Sequence, residues 1–186
     1  MIILPLNDEE EKTKGVLPED ILVEIATFDK GPKVLNFEEL KVETDNFSAR
    51  SKIRGFVHRG VFRWEILVIM RMGIDVSKEV NILTKINHFN LIKLNEHHRH
   101  FYLAYEYMEN DSLREWLHNK SSRETESWTC RIQIALDVAN GINYLHNFTK
   151  PAYVHKDIKS SNVLLDSNLR AKIGNFSLSD NKNCGH

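Results

Sequence analysis

The chain has 186 residues, enough for one domain or a small domain with flanking segments. Its 41% apolar and 27% charged residues are ordinary for a soluble globular protein, and a net charge of −1 argues against a broadly basic nucleic-acid surface. Cys130 and Cys184 make no disulfide framework and fit a reducing cytosol, and the longest purely apolar run, Ile66 to Met70, is far too short to span a membrane.

In chain order, the N-terminus has a short apolar start without the basic head of a signal peptide, and the acidic run Asn7 to Lys12 reads as a solvated tail. Pro18 suits the first turn of a helix whose apolar face is Ile21, Leu22 and Ile25, and Gly31-Pro32 breaks it. Asn36 with Glu39 forms a capping-box pattern opening a short second helix, which Phe37, Leu40 and Phe47 dock on the neighbouring strands. Gly55 to Phe62 reads as strand–turn–strand, and Glu65 to Met70 as a buried strand. Val76, Val80, Leu83 and Ile86 give the apolar face of a helix that also carries Glu79. Leu91 to Leu94 and Phe101 to Tyr105 make a hairpin around a polar turn containing His97, His98, Arg99 and His100. Those histidines fit a solvated turn better than a metal site, having no thiolate or carboxylate set beyond Glu96 and a repelling Arg99 among them. Ser112 with Glu115 caps another short helix, with Leu113, Trp116 and Leu117 inward. Lys120 to Thr125 reads as a polar loop that could also accept phosphate. Residues 128–148 form the strongest helix, striped by Ile132, Ala135, Val138, Ile142 and Leu145, and Val163-Leu164-Leu165 with Ala171-Lys172-Ile173 form a strand pair.

Chemistry concentrates in Tyr153 to Leu165, where His155, Asp157 and Asn162 make H-x-D-x-x-x-x-N before an apolar run. In protein kinases this spacing puts an aspartate at the substrate hydroxyl and an asparagine at a magnesium ion, with Lys159 here two residues beyond the aspartate. A surface turn also suits these residue types, but the flanking Val154 and Val163-Leu164-Leu165 favour the catalytic loop.

With the run Ile134 to His146, this loop makes Ser127 to Phe176 resemble plant receptor-like kinases, most nearly LysM receptor kinases of the Nod-factor-perception type. Weaker similarity reaches back to about Leu17. The resemblance implies an α+β, protein-kinase-like fold with an N-terminal lobe (antiparallel sheet plus one helix) and an incomplete, mostly helical C-terminal lobe. It divides the chain into a juxtamembrane-like segment (1–46), an N-lobe and hinge (47–109) and a partial C-lobe (110–186) that ends just after the D-F-G-equivalent position. Relatives of this type carry extracellular LysM modules and a membrane helix, so the expectation is a truncated intracellular part on the cytoplasmic side. They are usually regarded as pseudokinases.

Kinase catalysis is mostly positioning and charge stabilisation, so each charge-handling part can be checked separately. Of the phosphate-covering G-x-G-x-x-G-x-V, only Gly55 and Val57 remain, with Ser51 to Arg54 where the earlier glycines belong. The lysine of V-A-I-K is replaced by Met70, which can pair with neither phosphate nor Glu79. Arg71 points to the opposite strand face and substitutes only through a bulge or a one-residue slip that turns Leu67 and Ile69 outward. Without its lysine, Glu79 reads as a solvated helix residue. D-F-G becomes Asn175-Phe176-Ser177, where asparagine brings magnesium no charge and Phe176 can still pack as a plug.

The catalytic candidates are therefore Asp157, Lys159 and Asn162, and the degenerate nucleotide-binding set is Gly55, Val57, Met70, Glu79 and Asn175, with no metal site. The expected function is a catalytically impaired module of receptor signalling, of symbiotic or chitin type, acting by binding another receptor kinase or signalling protein. ATP and magnesium are implied by the family and expected to bind weakly or not at all; nucleic acid is not expected as a partner. An active Ser/Thr kinase using Arg71 and Asn175 in adapted roles, and a truncated product without independent activity, remain the alternatives. Because the family covers the 128–148 stripe with elements beyond residue 186, residues 110–186 are expected to be the looser half.

Overall fold

The computed structural model describes residues 33–34, 36–62, 65–73, 76–98, 101–118 and 127–181, all within one unit, Gly31–His186. The expectations for the acidic run, the Pro18 helix, Gly31-Pro32, Arg99, His100 and the 120–125 loop lie outside these residues.

Chain order gives β1 (Lys33–Val34), α1 (Phe37–Glu43), β2 (Lys52–Arg54), β3 (Val57–Phe62), β4 (Glu65–Arg71), α2 (Ser77–Leu83), β5 (Leu94–His98) and β6 (Tyr102–Glu106). Next come α3 (Leu113–His118), α4 (Trp128–Asn147), β7 (Tyr153–Val154), a 3-10 turn (Ser160–Asn162), β8 (Val163–Leu165), β9 (Ala171–Ile173) and β10 (Asp180–Asn181). The main sheet runs β1-β5-β6-β4-β3-β2, antiparallel from β5 to β2, with β1 joining β5 in parallel at one edge. This is a mixed α+β arrangement.

Local chemistry explains several boundaries. Asn36 accepts the Glu38 N–H at 3.1 Å and Ser112 Oγ accepts the Glu115 N–H at 3.3 Å, each supplying an acceptor to an orphan donor of a first turn. The tight β2–β3 turn is Gly55-Phe56, with Gly55 in the left-handed region at φ 53°. Residues 57–62 are thus one uninterrupted strand, rather than the strand–turn–strand that the sequence suggests. β5 begins at Leu94 and takes in His97 and His98, so these two belong to a strand rather than to a turn.

Strand alternation splits the sheet's burial. Leu67 and Ile69 of β4 face Leu40, Phe62 and Ala104, closed over by Phe37, Phe47 and Tyr102, so α1 covers this face of the sheet. The other face turns Leu103 and Tyr105 toward Val80 and Leu83 of α2, and this core continues through Ile92, Leu145, Tyr153, Ile173 and Phe176 into the lower part. This second cluster therefore joins the sheet to helices α2 and α4. A third cluster joins Trp116, Ile134, Val163, Leu165 and Ala171, while Leu117, expected inward, is exposed.

Helix α4 corrects the expected stripe. Its buried residues are Ile134, Asp137, Gly141 and Leu145, with Val138 and Ile142 packed beside them, whereas Ile132 and Ala135 are exposed. Strands β8 and β9 and helix α3 capture Ile134, and Gly141 lets the helix approach Asn90 and Leu91, where a Cβ would lie 2.9 Å from the Asn90 carbonyl. Val138, Ile142 and Leu145 find their cover within the chain itself. What stays open is Trp128, Ile132 and Leu136, at 74%, 49% and 52% exposure and one helical turn apart. Replacing Ile132→Glu and Leu136→Lys together is expected to leave the melting transition nearly unchanged, within about 0.5 kcal/mol, and to reduce light scattering on concentration. A large loss of stability would mean that this face is packed in solution.

Candidate active site

A cleft of about 700 Å³ opens under the sheet, bounded by β2–β4, β6, α2, α3 and the segments around Asn162 and Asn175. Of the predicted nucleotide residues, Val57, Met70, Glu79 and Asn175 line it, and Gly55 sits outside at the exposed hairpin turn.

Met70 occupies the cleft wall because β4 is pinned from both sides. Its pairing with β3 runs without interruption from Val57↔Met70 to Phe62↔Glu65, and with β6 from Leu67↔Glu106 to Arg71↔Tyr102. No bulge breaks either ladder, and Arg71 is exposed on the face shared by Leu67 and Ile69. Rotating Arg71 into the cleft would expel these two leucine-sized side chains, each worth about 1.5–3 kcal/mol of burial.

Glu79 differs from its expected place on a solvated face: it is only 3% exposed. Tyr105 Oη donates to Glu79 Oε1 at 2.9 Å and the Phe176 N–H donates to the same oxygen at 3.2 Å. These donors replace the missing lysine as the reason a carboxyl can sit inside. Burial raises the Glu79 pKa, with the two hydrogen bonds opposing it, and burial together with the adjacent carboxylate pushes the Tyr105 hydroxyl well above its usual range. Sequence reasoning missed Tyr105, although a tyrosine in an apolar strand signals a hydroxyl needing a partner.

The H-x-D-x-x-x-x-N loop closes on itself. Lys159 Nζ lies 2.8 Å from Asp157 Oδ2, and Asn162 Nδ2 donates to the Asp157 carbonyl and to Oδ2, both at 2.9 Å. The Lys159 hydrogen bond, then that of Asn162 and the nearby positive charge, hold the Asp157 carboxyl below its ordinary value. The structure thus brings Asp157, Lys159 and Asn162 together, and Asn175 joins them by donating to Asn162 Oδ1 at 3.3 Å. Ser177 Oγ in turn donates to Asn175 Oδ1 at 2.7 Å.

His155 anchors this loop from below. Its ring is buried, lies 4.8 Å from Phe176 edge to face, places Nε2 3.0 Å from the Gly174 carbonyl and accepts the Asp157 N–H on Nδ1. That pattern is a neutral imidazole with Nε2 as donor, consistent with burial lowering its pKa. Where Asp157, Asn162 and Asn175 meet, the side-chain oxygens they bring are one carboxylate, already paired with Lys159, and two amides. Among the described residues no group of three or more His, Cys, Asp or Glu side chains could hold a metal.

A five-stranded antiparallel sheet, its packed helix, a cleft beneath and an H-x-D-x-x-x-x-N loop against a strand pair define a protein-kinase fold, present in part. The profile of the protein tyrosine and serine/threonine kinase family matches residues 55–185, and the chain belongs to that family. It is 43% identical over 161 residues to chitin elicitor receptor kinase 1 of Physcomitrium patens (79% of this chain, 25% of the relative). It is 42% identical over 153 residues to the Arabidopsis thaliana protein of the same name (77% and 25%), and 38% over 152 residues to LysM domain receptor-like kinase 3 of Medicago truncatula (76% and 24%). The chain is thus a homologue of the kinase region of plant LysM receptor-like kinases, and it spans about a quarter of the length of these relatives. No helix among the described residues is long and apolar enough to cross a membrane.

Proposed function

We propose that this chain is a catalytically impaired kinase-homologous module that works by binding another receptor kinase or signalling protein on the cytoplasmic side of a plant membrane. The observation that carries this reading is Met70 in the cleft wall on an unslipped strand, where the family's phosphate-binding lysine belongs. The donor set adds support. Magnesium is normally held by carboxylates and phosphates, and Asn162 and Asn175 offer only neutral amides, so these residues do not fit the ion. In this reading Asp157, Lys159 and Asn162 keep the catalytic loop's shape, Gly55 and Val57 are remnants of the phosphate cover, and residues 1–46 are a juxtamembrane-like lead into the lobe at 47–109, with 110–186 the partial lower lobe. The name chitin elicitor receptor kinase 1, carried by two of the relatives, supports chitin-type receptor signalling as the setting, and symbiotic signalling is the other setting within this proposal.

Phosphate transfer from magnesium-ATP to a generic protein substrate is expected at background, and calorimetric titration should give a dissociation constant of about millimolar or weaker. A radiolabel assay with Asp157→Asn as control checks this. Transfer that Asp157→Asn abolishes, or magnesium-dependent binding in the micromolar range, establishes a working kinase instead. One observation favours that second reading: the close grouping of Asp157, Lys159 and Asn162.

A further inference from the structure

With Met70 where the family's lysine belongs, no cation on β4 balances the carboxyl of Glu79 inside the cleft. Glu79 lies in its wall, 3% exposed, and both of its hydrogen-bond donors fall on Oε1, so that Oε2 has no donor among the described residues. The basic side chains lining the cleft, Arg54 and Arg114, are both exposed, and Arg54 is held by Glu115 across the mouth at 3.1 Å. The Glu106 carboxylate is already taken by Lys172 and the Lys93 N–H. Among the described residues Glu79 is therefore a buried carboxyl with no ion-pair partner, in a cleft whose apolar lining includes Val57, Val68, Met70, Met108 and Leu164.

A buried carboxylate without a counter-charge bears a desolvation cost that an incoming ammonium group relieves, through a charge-assisted hydrogen bond of about 2.7–2.9 Å. A triphosphate at the same place meets like charge. From this juxtaposition of an apolar slot and an open carboxylate oxygen we infer that the cleft takes an amine-bearing heteroaromatic cation, its flat ring between the apolar walls and its protonated amine on Glu79 Oε2. The burial that now raises the Glu79 pKa agrees with a site lacking its cation. The inference rests on the reading above that this cleft does not hold magnesium-ATP.

The test is calorimetric titration of the full chain with three probes: magnesium-ATP, an adenine bearing an aminopropyl tail on its ring nitrogen, and the N-acetylated, uncharged twin of that adenine. The amine is expected to bind at least about tenfold tighter than its twin, the scale of one charge-assisted hydrogen bond. Glu79→Gln should abolish that preference. Because Glu79→Gln removes a buried group, Met70→Lys provides a second arm: it keeps Glu79 and supplies a protein cation, and it too should erase the preference. Melting curves confirm that each variant folds. Equal binding of the two adenines, or no binding of either, overturns the inference, as does a preference that survives in a folded variant. Tight magnesium-ATP binding overturns the underlying reading of the cleft, whereas weak ATP binding with equal adenines sinks the inference alone.

Discussion

Replacing Asp137 by alanine is expected to destabilise the fold by about 3 kcal/mol, a large part of the ~5–15 kcal/mol that holds a domain together. The side chain is fully buried in α4 and accepts from Arg170 Nε at 2.8 Å, Arg170 Nη2 at 2.6 Å, the Ala171 N–H at 2.9 Å and Gln133 Nε2 at 3.0 Å. Alanine leaves a buried N–H without an acceptor and a guanidinium without its bidentate partner. The cost sits at the low end for a broken buried pair because Arg170 is 52% exposed and regains water. Urea melts check it, and the double variant Asp137→Ala, Arg170→Met should recover part of the loss. A cost below about 1 kcal/mol for the single variant would show that the pair does not tie α4 to β9. Acidification gives the same answer by another route. Burial works to raise the Asp137 pKa, but the Arg170, Ala171 and Gln133 hydrogen bonds and the guanidinium charge lower it below 3.8 overall. A depressed folded pKa stabilises above the unfolded value and is lost as pH falls through the folded one, so this contribution fades only below about pH 4. Asp137→Ala should flatten that part of the acid limb.

What the sequence made legible was local or periodic. Asn36 and Ser112 announce their helices because a cap acts within three residues, and Arg71 could be set on the face opposite Met70 because a strand alternates with period two. The meeting of Asp157, Lys159 and Asn162 was legible too, since all three lie within one short loop. Burial set by distant partners was not. Glu79 looked solvated because its donors, Tyr105 and Phe176, lie 26 and 97 residues away. The α4 stripe was drawn a step off at its first half because Asp137 reads as a surface residue until Arg170, 33 residues on, folds against it. An ion pair can turn a charged position inward and leave Ile132 outside, and no helical periodicity shows that.

The Asn175-Phe176-Ser177 triplet divides into a part that handles charge in other kinases and a part that fills space, and substitution should separate them. Phe176 is fully buried, one of the largest such side chains among the described residues, in the core that joins α2, β5, β6, α4 and β9. Its ring meets His155 at 4.8 Å and its N–H reaches Glu79 at 3.2 Å, so it touches both the catalytic loop and helix α2. Phe176→Ala is expected to cost about 3–5 kcal/mol, the transfer loss plus an unfilled cavity. It should also loosen the catalytic loop, seen as faster hydrogen exchange across residues 153–165. Asn175 is exposed, and Asn175→Ala removes one contact to Asn162 and one from Ser177 and puts alanine at φ 63°, so its cost should stay at about 1–2 kcal/mol. Thermal and urea unfolding of the two variants side by side tests the contrast. If Asn175→Ala proves the more damaging, the triplet is held by its polar network, and the plug assigned to Phe176 is wrong.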